Sequence, residues 1–310
     1  MTPAREVVGD GPGPATLDLA LDAGTVRVTL SGATTDTATD TAAVRVRVEA
    51  DPEAPPGWLR GISGLLGLLG ERLSEGPSSP DERAEAAVAA TTLDWDADAR
   101  RLTVRGPRDW SLRGVPLAVT VQAPADSDLR VRAGAARIAV EGRAGEVSVS
   151  GTGEVSLDEV AGRTELRCGA GEVRIGRLGA PLRMSGGAGG VRVDHVLAPA
   201  EITTGAGRVR LGEVRADVAV RAAAGDVEVA DAVTGEVELG TGVGSLRVGV
   251  HPGVDARVRL DATVGRVRSE LPVRADRPEH PDGGPLSVRA RTGAGDVTVT
   301  AARIPALPAS

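Results

Sequence analysis

Gly153-Glu154-Val155-Ser156-Leu157 and Gly171-Glu172-Val173-Arg174-Ile175 are one phrase written twice. It returns as Gly190-Val191-Arg192-Val193, Gly207-Arg208-Val209-Arg210-Leu211, Gly225-Asp226-Val227-Glu228-Val229 and Gly244-Ser245-Leu246-Arg247-Val248. The first aliphatic residue falls at Ile138, Val155, Val173, Val191, Val209, Val227, Leu246, Val267 and Val297; the usual step is 18 residues, and the last two are 21 and 30. Apolar residues two apart mean strands, and a fixed period of this length means coils stacked in register. The expected fold is all-β, a parallel right-handed β-helix (β-solenoid), the hand being that of other parallel crossovers. Glycine belongs at the corners, where a sharp bend or a positive φ is needed.

Outward from the phrase, a second apolar pair precedes each glycine, as in Thr164/Leu166, Leu182/Met184, Ala200/Ile202 and Val218/Val220. A third apolar position follows at Val160, Leu178, Val196, Val214 and Val233, giving three inward runs per coil. About nine coils, stacked in chain order, fill 128–304, with 305–310 a disordered tail. Residues 1–127 carry alternating runs without the beat, at Thr16–Leu21, Thr25–Leu30, Ala43–Glu49, Thr92–Trp95, Arg101–Val104 and Pro116–Gln122. They read as an antiparallel or irregular N-terminal β cap, which a solenoid end with unpaired strand edges requires.

Two insertions break the β pattern. In 51–90, the stretch Gly57–Leu73 places Trp58, Leu59, Ile62, Leu65, Leu66, Leu69 and Leu73 on one face of a helical wheel, with Arg60, Glu71 and Arg72 opposite. A short amphipathic helix is expected there, weakened by its interior glycines and needing a surface to lie on: the solenoid end, a partner or a membrane. The second insertion, Arg274–Pro285, reads as a polar loop; Asp276, Glu279, His280 and Asp282 could gather a metal only loosely, and a solvated loop is the expectation.

Composition narrows the function classes. The 310 residues carry a formal net charge of −7, which argues against nucleic-acid binding. Phe, Tyr, Lys and Asn are absent, and the three tryptophans precede residue 111, a pattern that fits a GC-rich genome. A core of Val, Leu, Ile and Ala must be narrow. One cysteine excludes an internal disulfide framework. Residues 1–16 lack the apolar run of a signal peptide, and no stretch reaches the roughly 18 apolar residues of a spanning helix, so the expected location is cytoplasmic, peripheral at a membrane if 57–73 docks there.

The run Val115–Val131, followed by the Gly-x-Val-x-Val coils, resembles the bacterial β-strand-repeat family of candidate adhesins, a domain of unknown function common in actinobacteria. The resemblance spans roughly 15–304 without the first insertion. It implies a right-handed β-solenoid and no established catalytic residues. The membrane anchor or signal often found in that family is not seen here.

No cofactor, metal or catalytic site is expected. Gly169-Ala170-Gly171 and Gly205-Ala206-Gly207 lack the third glycine and the helix of a dinucleotide fingerprint. Asp158, Asp194 and Asp231 read as one turn column on alternate coils, about 10 Å apart, too far to share a calcium ion. His195 falls in an outward column with Glu159, Arg177, Glu213 and Ala232, and Cys168 in a column of small corner residues.

The outward columns carry the functional expectation. Before the glycine they run Glu165, Arg183, Glu201, Ala219, Glu238, Arg259, which locks register through opposite charges. After it they run Arg174, Arg192, Arg210, Glu228, Arg247, Arg268, with Arg208 adding to the face. Stacked arginines repel unless screened or occupied, so Arg174, Arg192, Arg208 and Arg210 are candidate contacts for an acidic protein partner. The expected function is a non-enzymatic scaffold or protein-interaction module, self-association included. The alternative is a peripheral membrane or surface adhesin using Trp58, Leu59, Ile62, Leu65, Leu66 and Leu69. A carbohydrate-active enzyme is disfavoured, because the repeats hold no aromatic ring to stack on sugars.

Overall fold

The computed structural model describes residues 4–11, 13–31, 44–51, 79–271 and 286–302. They form two compact units, with the division near residue 144: residues 149–152 go with the first and 145–148 with the second. The chain is all-β apart from one helix among the described residues, and the parallel β-solenoid stands as expected.

The first unit contains β1 (Ala4–Gly9), β2 (Thr16–Ser31), β3 (Val44–Ala50), α1 (Pro80–Ala90), β4 (Thr92–Asp96), β5 (Arg101–Arg105), β6 (Leu117–Pro124) and β7 (Asp128–Ala144). The two runs expected at Thr16–Leu21 and Thr25–Leu30 are one strand, β2, and β1 was not foreseen. Pairing of β1 with β3, β3 with β6 and β4 with β5 is antiparallel. The remaining pairings are parallel, so the unit is mixed and not purely antiparallel: β2 runs parallel to β7 along nearly its whole length, and on its other edge parallel to β5 and then β6. Two-sided pairing explains why Leu17, Leu19, Val26 and Val28 are buried.

The structure describes one helix in this insertion, at a place the sequence reading did not foresee. Residues 57–73, with Trp58, Leu59, Ile62, Leu65, Leu66 and Leu69, fall outside the described residues, whereas α1 is Pro80–Ala90. A capping box starts it: the Glu82 N–H donates to Ser79 Oγ at 3.1 Å and the Ser79 N–H to Glu82 Oε2 at 3.2 Å. Ala87 and Val88 are buried, and Thr91 Oγ1 donates to the Ala87 carbonyl at 2.8 Å, closing the last turn.

In the second unit each coil has two strands meeting at the corner glycine, not three runs. The third apolar position is the last residue of the post-glycine strand, as in Val155–Val160 and Val173–Leu178. Val173, Val191, Val209 and Val227 stack in one inward column, and Leu166, Met184, Ile202 and Val220 in the facing one. Side chains in these columns are almost wholly withdrawn from water, at a gain of roughly 1.5–3 kcal/mol for each large aliphatic residue.

Glycine at the corner is required twice over. Gly171, Gly189, Gly207, Gly225 and Gly244 have φ between 123° and 144°. A Cβ on any of them would stand 1.8–2.1 Å from the carbonyl oxygen of the corner glycine on the neighbouring coil. The corner of the third phrase is therefore Gly189, not Gly190.

Two details of register differ from expectation. The extra residue of the 19-residue step falls after Ala232, so Ala232 and not Val233 continues the Val196–Val214 column, and Asp231 stands beside Glu213. The coils also do not stack in chain order. The strand Glu236–Val243 pairs with Leu286–Ala294, which in turn pairs with Ala256–Val264. The second strands repeat the order, Leu246–Val250 to Val297–Ala301 to Val267–Ser269. The last coil in the chain is thus inserted beneath the one that precedes it. Two inter-coil hydrogen bonds lock the insertion: Thr292 Oγ1 donates to the Gly244 carbonyl at 2.9 Å, and the Arg266 N–H to Asp296 Oδ1 at 2.9 Å.

Candidate functional site

Arg174, Arg192 and Arg210 do form one vertical column, each the direct rung neighbour of the next, followed by Glu228. The column is not a bare positive stripe. Arg174 bridges Glu154 at 2.5 Å and Glu172 at 2.7 Å; Arg192 donates to Asp194 at 2.8 Å; Arg210 sits 3.6 Å from Glu228. Arg208, two residues before Arg210, reaches Asp226 at 3.3 Å. The expected repulsion between stacked guanidiniums is therefore relieved by carboxylates on the same wall. Arg247 and Arg268 are not neighbours, because Thr298 of the inserted coil stands between them.

Asp226 shows how one carboxylate serves two purposes. It accepts the Ser245 N–H at 2.9 Å, tying one coil to the next, and also the Arg208 guanidinium. The Ser245 bond first and Arg208 second hold its carboxyl below the usual aspartate range.

The facing wall has the expected register, Glu165–Arg183–Glu201–Ala219–Glu238, continued by Arg289 before Arg259. Arg183 and Arg221 both reach Glu201, at 3.3 and 3.6 Å, while Arg289 bridges Glu236 and Glu238 at 3.2 and 3.1 Å. A shallow recess of about 530 Å³ runs along this wall past Arg163, Glu201, Asp217 and Arg221. Its walls mix both signs.

Both described histidines enter the alternation: His195 stands beside Glu213 in the expected outward column, whereas the pairing of His251 with Asp231 was not foreseen. His195 Nδ1 lies 3.2 Å from Glu213, and His251 Nδ1 lies 2.9 Å from Asp231. Arg215 also bonds Glu213, and this bond, ahead of that from His195, holds the Glu213 carboxyl low. The signal for the second pair was the one-residue shift that brings Asp231 into the outward column. Cys168 is buried in its corner column, where burial pushes its thiol pKa up.

In the first unit, Arg105, Arg108, Arg113 and Arg132 line a recess of about 600 Å³. Asp18 lies 3.5 Å from Arg105 and 3.8 Å from Arg132, and Asp22 lies 4.0 Å from Arg113. Trp110, in the loop joining β5 to β6, is 80% exposed. The residues Asp276, Glu279, His280 and Asp282 lie outside the described set; among the described residues no group of three or more His, Cys, Asp or Glu is placed to hold a metal ion. No described helix is long and apolar enough to cross a membrane.

No protein-family model matches this chain, and no curated protein matches it. Among solved structures it is similar to a candidate adhesin from Bacteroides fragilis, with 11% identity, a TM-score of 0.39 and coverage of 96% of this chain and 97% of that one. A candidate adhesin from Parabacteroides merdae aligns over 97% and 96% at 14% identity and a TM-score of 0.33. A candidate cell adhesion protein from Clostridium sporogenes aligns over 97% and 99% at 10% identity and a TM-score of 0.26.

Proposed function

We propose that this chain is a non-enzymatic β-solenoid serving as a scaffold or protein-interaction module, with the post-glycine wall as its contact face for an acidic protein partner. The observation that supports this reading is the column Arg174–Arg192–Arg210, which holds three guanidiniums at successive rungs, about 4.8 Å apart. Their carboxylate partners lie on the same exposed wall, where ion pairs contribute only about 0–1 kcal/mol each. A partner's carboxylates can therefore replace them at little cost, and the rung spacing sets which partner fits. Affinity purification with the intact chain as bait, against the triple variant Arg174→Glu/Arg192→Glu/Arg210→Glu, tests the reading. The partner is lost from the variant; equal recovery by both baits overturns it. Fractionation of the native host tests the cytoplasmic location that goes with it.

A second reading, docking to a membrane or cell surface in the manner of an adhesin, is favoured by the apolar face written into Gly57–Leu73. Liposome co-sedimentation of the intact chain against a deletion of 57–73 separates the two readings, since only the second makes the deletion lose binding.

A further inference from the structure

Among the described residues, the coil formed by Ala256–Val264 and Val267–Ser269 has a neighbour on one side only. Its inward residues show what that means. Val288, Ala290, Val297 and Val299 on the coil beneath are buried, while Val258 and Leu260 are only half-buried and Val267 is 47% exposed. Among the described residues, the last layer of the aliphatic core and a nine-residue strand edge both face outward. Such an edge is a template for another strand unless something opposes it.

Its sequence is Ala256-Arg257-Val258-Arg259-Leu260-Asp261-Ala262-Thr263-Val264. A parallel copy in register would set Arg259 on Arg259 and Asp261 on Asp261. An antiparallel copy centred on Leu260 does the opposite. Arg259 then faces Asp261 of the other molecule and Asp261 faces its Arg259, while Leu260 meets Leu260 and Val258 meets Ala262 on the inward side. The register keeps apolar side chains in and polar ones out, because the shift is even. Arg259 makes no ion pair among the described residues, and Asp261, bonded to Arg291 at 3.2 Å, remains largely exposed.

We infer that this terminal edge pairs with a second copy of the same chain, antiparallel about a two-fold axis through Leu260. The inference deepens the interaction-module reading and rests on it, naming self-association at one coil edge. A two-fold contact of this kind is closed, so assembly stops at a dimer and does not run on into a filament. It completes the core layer over Leu260 and satisfies the edge's backbone groups together.

The test is a charge swap, read by sedimentation equilibrium of the intact chain. Both positions point outward, so each variant keeps its inward pattern, and circular dichroism checks the fold. The intact chain sediments as a dimer. Arg259→Asp alone sets acid against acid and Asp261→Arg alone sets base against base, each weakening dimerisation by roughly tenfold or more. Mixing the two single variants restores a dimer, as does the double swap in one chain. A monomeric intact chain, a dimer indifferent to the swap, or a dimer made with a different protein in place of the second copy would each overturn the inference. These outcomes are separable from failure of the module reading: the arginine-face variant loses its acidic partner while still dimerising, and a monomeric chain with intact partner capture refutes only the terminal contact.

Discussion

Gly189 and Gly190 are adjacent, yet the structure asks opposite things of them. Gly189 has a φ of 136° and sits where a Cβ would be 1.8 Å from the Gly171 carbonyl oxygen; at Gly190 the nearest heavy atom to a new Cβ is 3.6 Å away. Gly189→Ala should therefore cost about 2 kcal/mol or more in chemical denaturation, and Gly190→Ala should stay within about 0.5 kcal/mol of the parent. The repeat identified the corner as glycine but could not choose within this doublet, because the choice is made by the carbonyl of the coil next door. Charge is also decided at this scale. Asp226 and Glu213 have folded pKa values below their ordinary ones, so they contribute stability above the unfolded value of about 4 and lose it as pH falls through the folded value. Asp226→Asn should narrow the gap in melting temperature between pH 6 and pH 3; solvent at this exposed site keeps the effect small.

Among the elements, α1 depends on its first turn. Ser79→Ala removes the acceptor of the Glu82 N–H and should lower stability by about 1 kcal/mol, measurable by thermal melting against the parent. The sequence held this signal as Ser79-Pro80-Asp81-Glu82, a capping box with proline at the helix start. It was masked by the louder apolar pattern of 57–73. Strands were easier to read than the helix, because burial alternates along each one, as in Val173–Leu178. Pairing direction in the first unit was not readable, because alternation marks the faces of a strand and not the orientation of its neighbour. Only contacts distant in sequence make β2 parallel to β7 and β3 antiparallel to β6.

For the whole molecule, the repeat marks where each coil lies in the sequence and not its order in the stack. Val258/Leu260 and Val288/Ala290 carry the same inward pattern, so either could follow Val237/Leu239; the structure puts Val288/Ala290 there. Cysteine pairs test this: Glu238→Cys with Arg289→Cys, on adjacent rungs, should cross-link under mild oxidation, whereas Glu238→Cys with Arg259→Cys, two rungs apart, should not. Stacking in chain order would reverse the two outcomes. The arginine face was similarly half-legible. The column of Arg174, Arg192 and Arg210 follows from the period, but Glu154 and Asp194 enter it only through side chains reaching across the wall.

The inserted coil also sets an order of events in time. Chains emerge from the ribosome N-terminus first, and each earlier coil can close on its predecessor as it appears. At 256–269 that rule breaks, since the surface this coil must settle on is synthesised after it. While the chain waits, the strand Glu236–Val243 has its next edge open, and the coil at 256–269 already offers it a matching apolar pattern in the wrong place. The coil at 286–301 thus closes the gap, and its arrival decides whether the coil at 256–269 settles in its own place or remains an error beside Glu236–Val243.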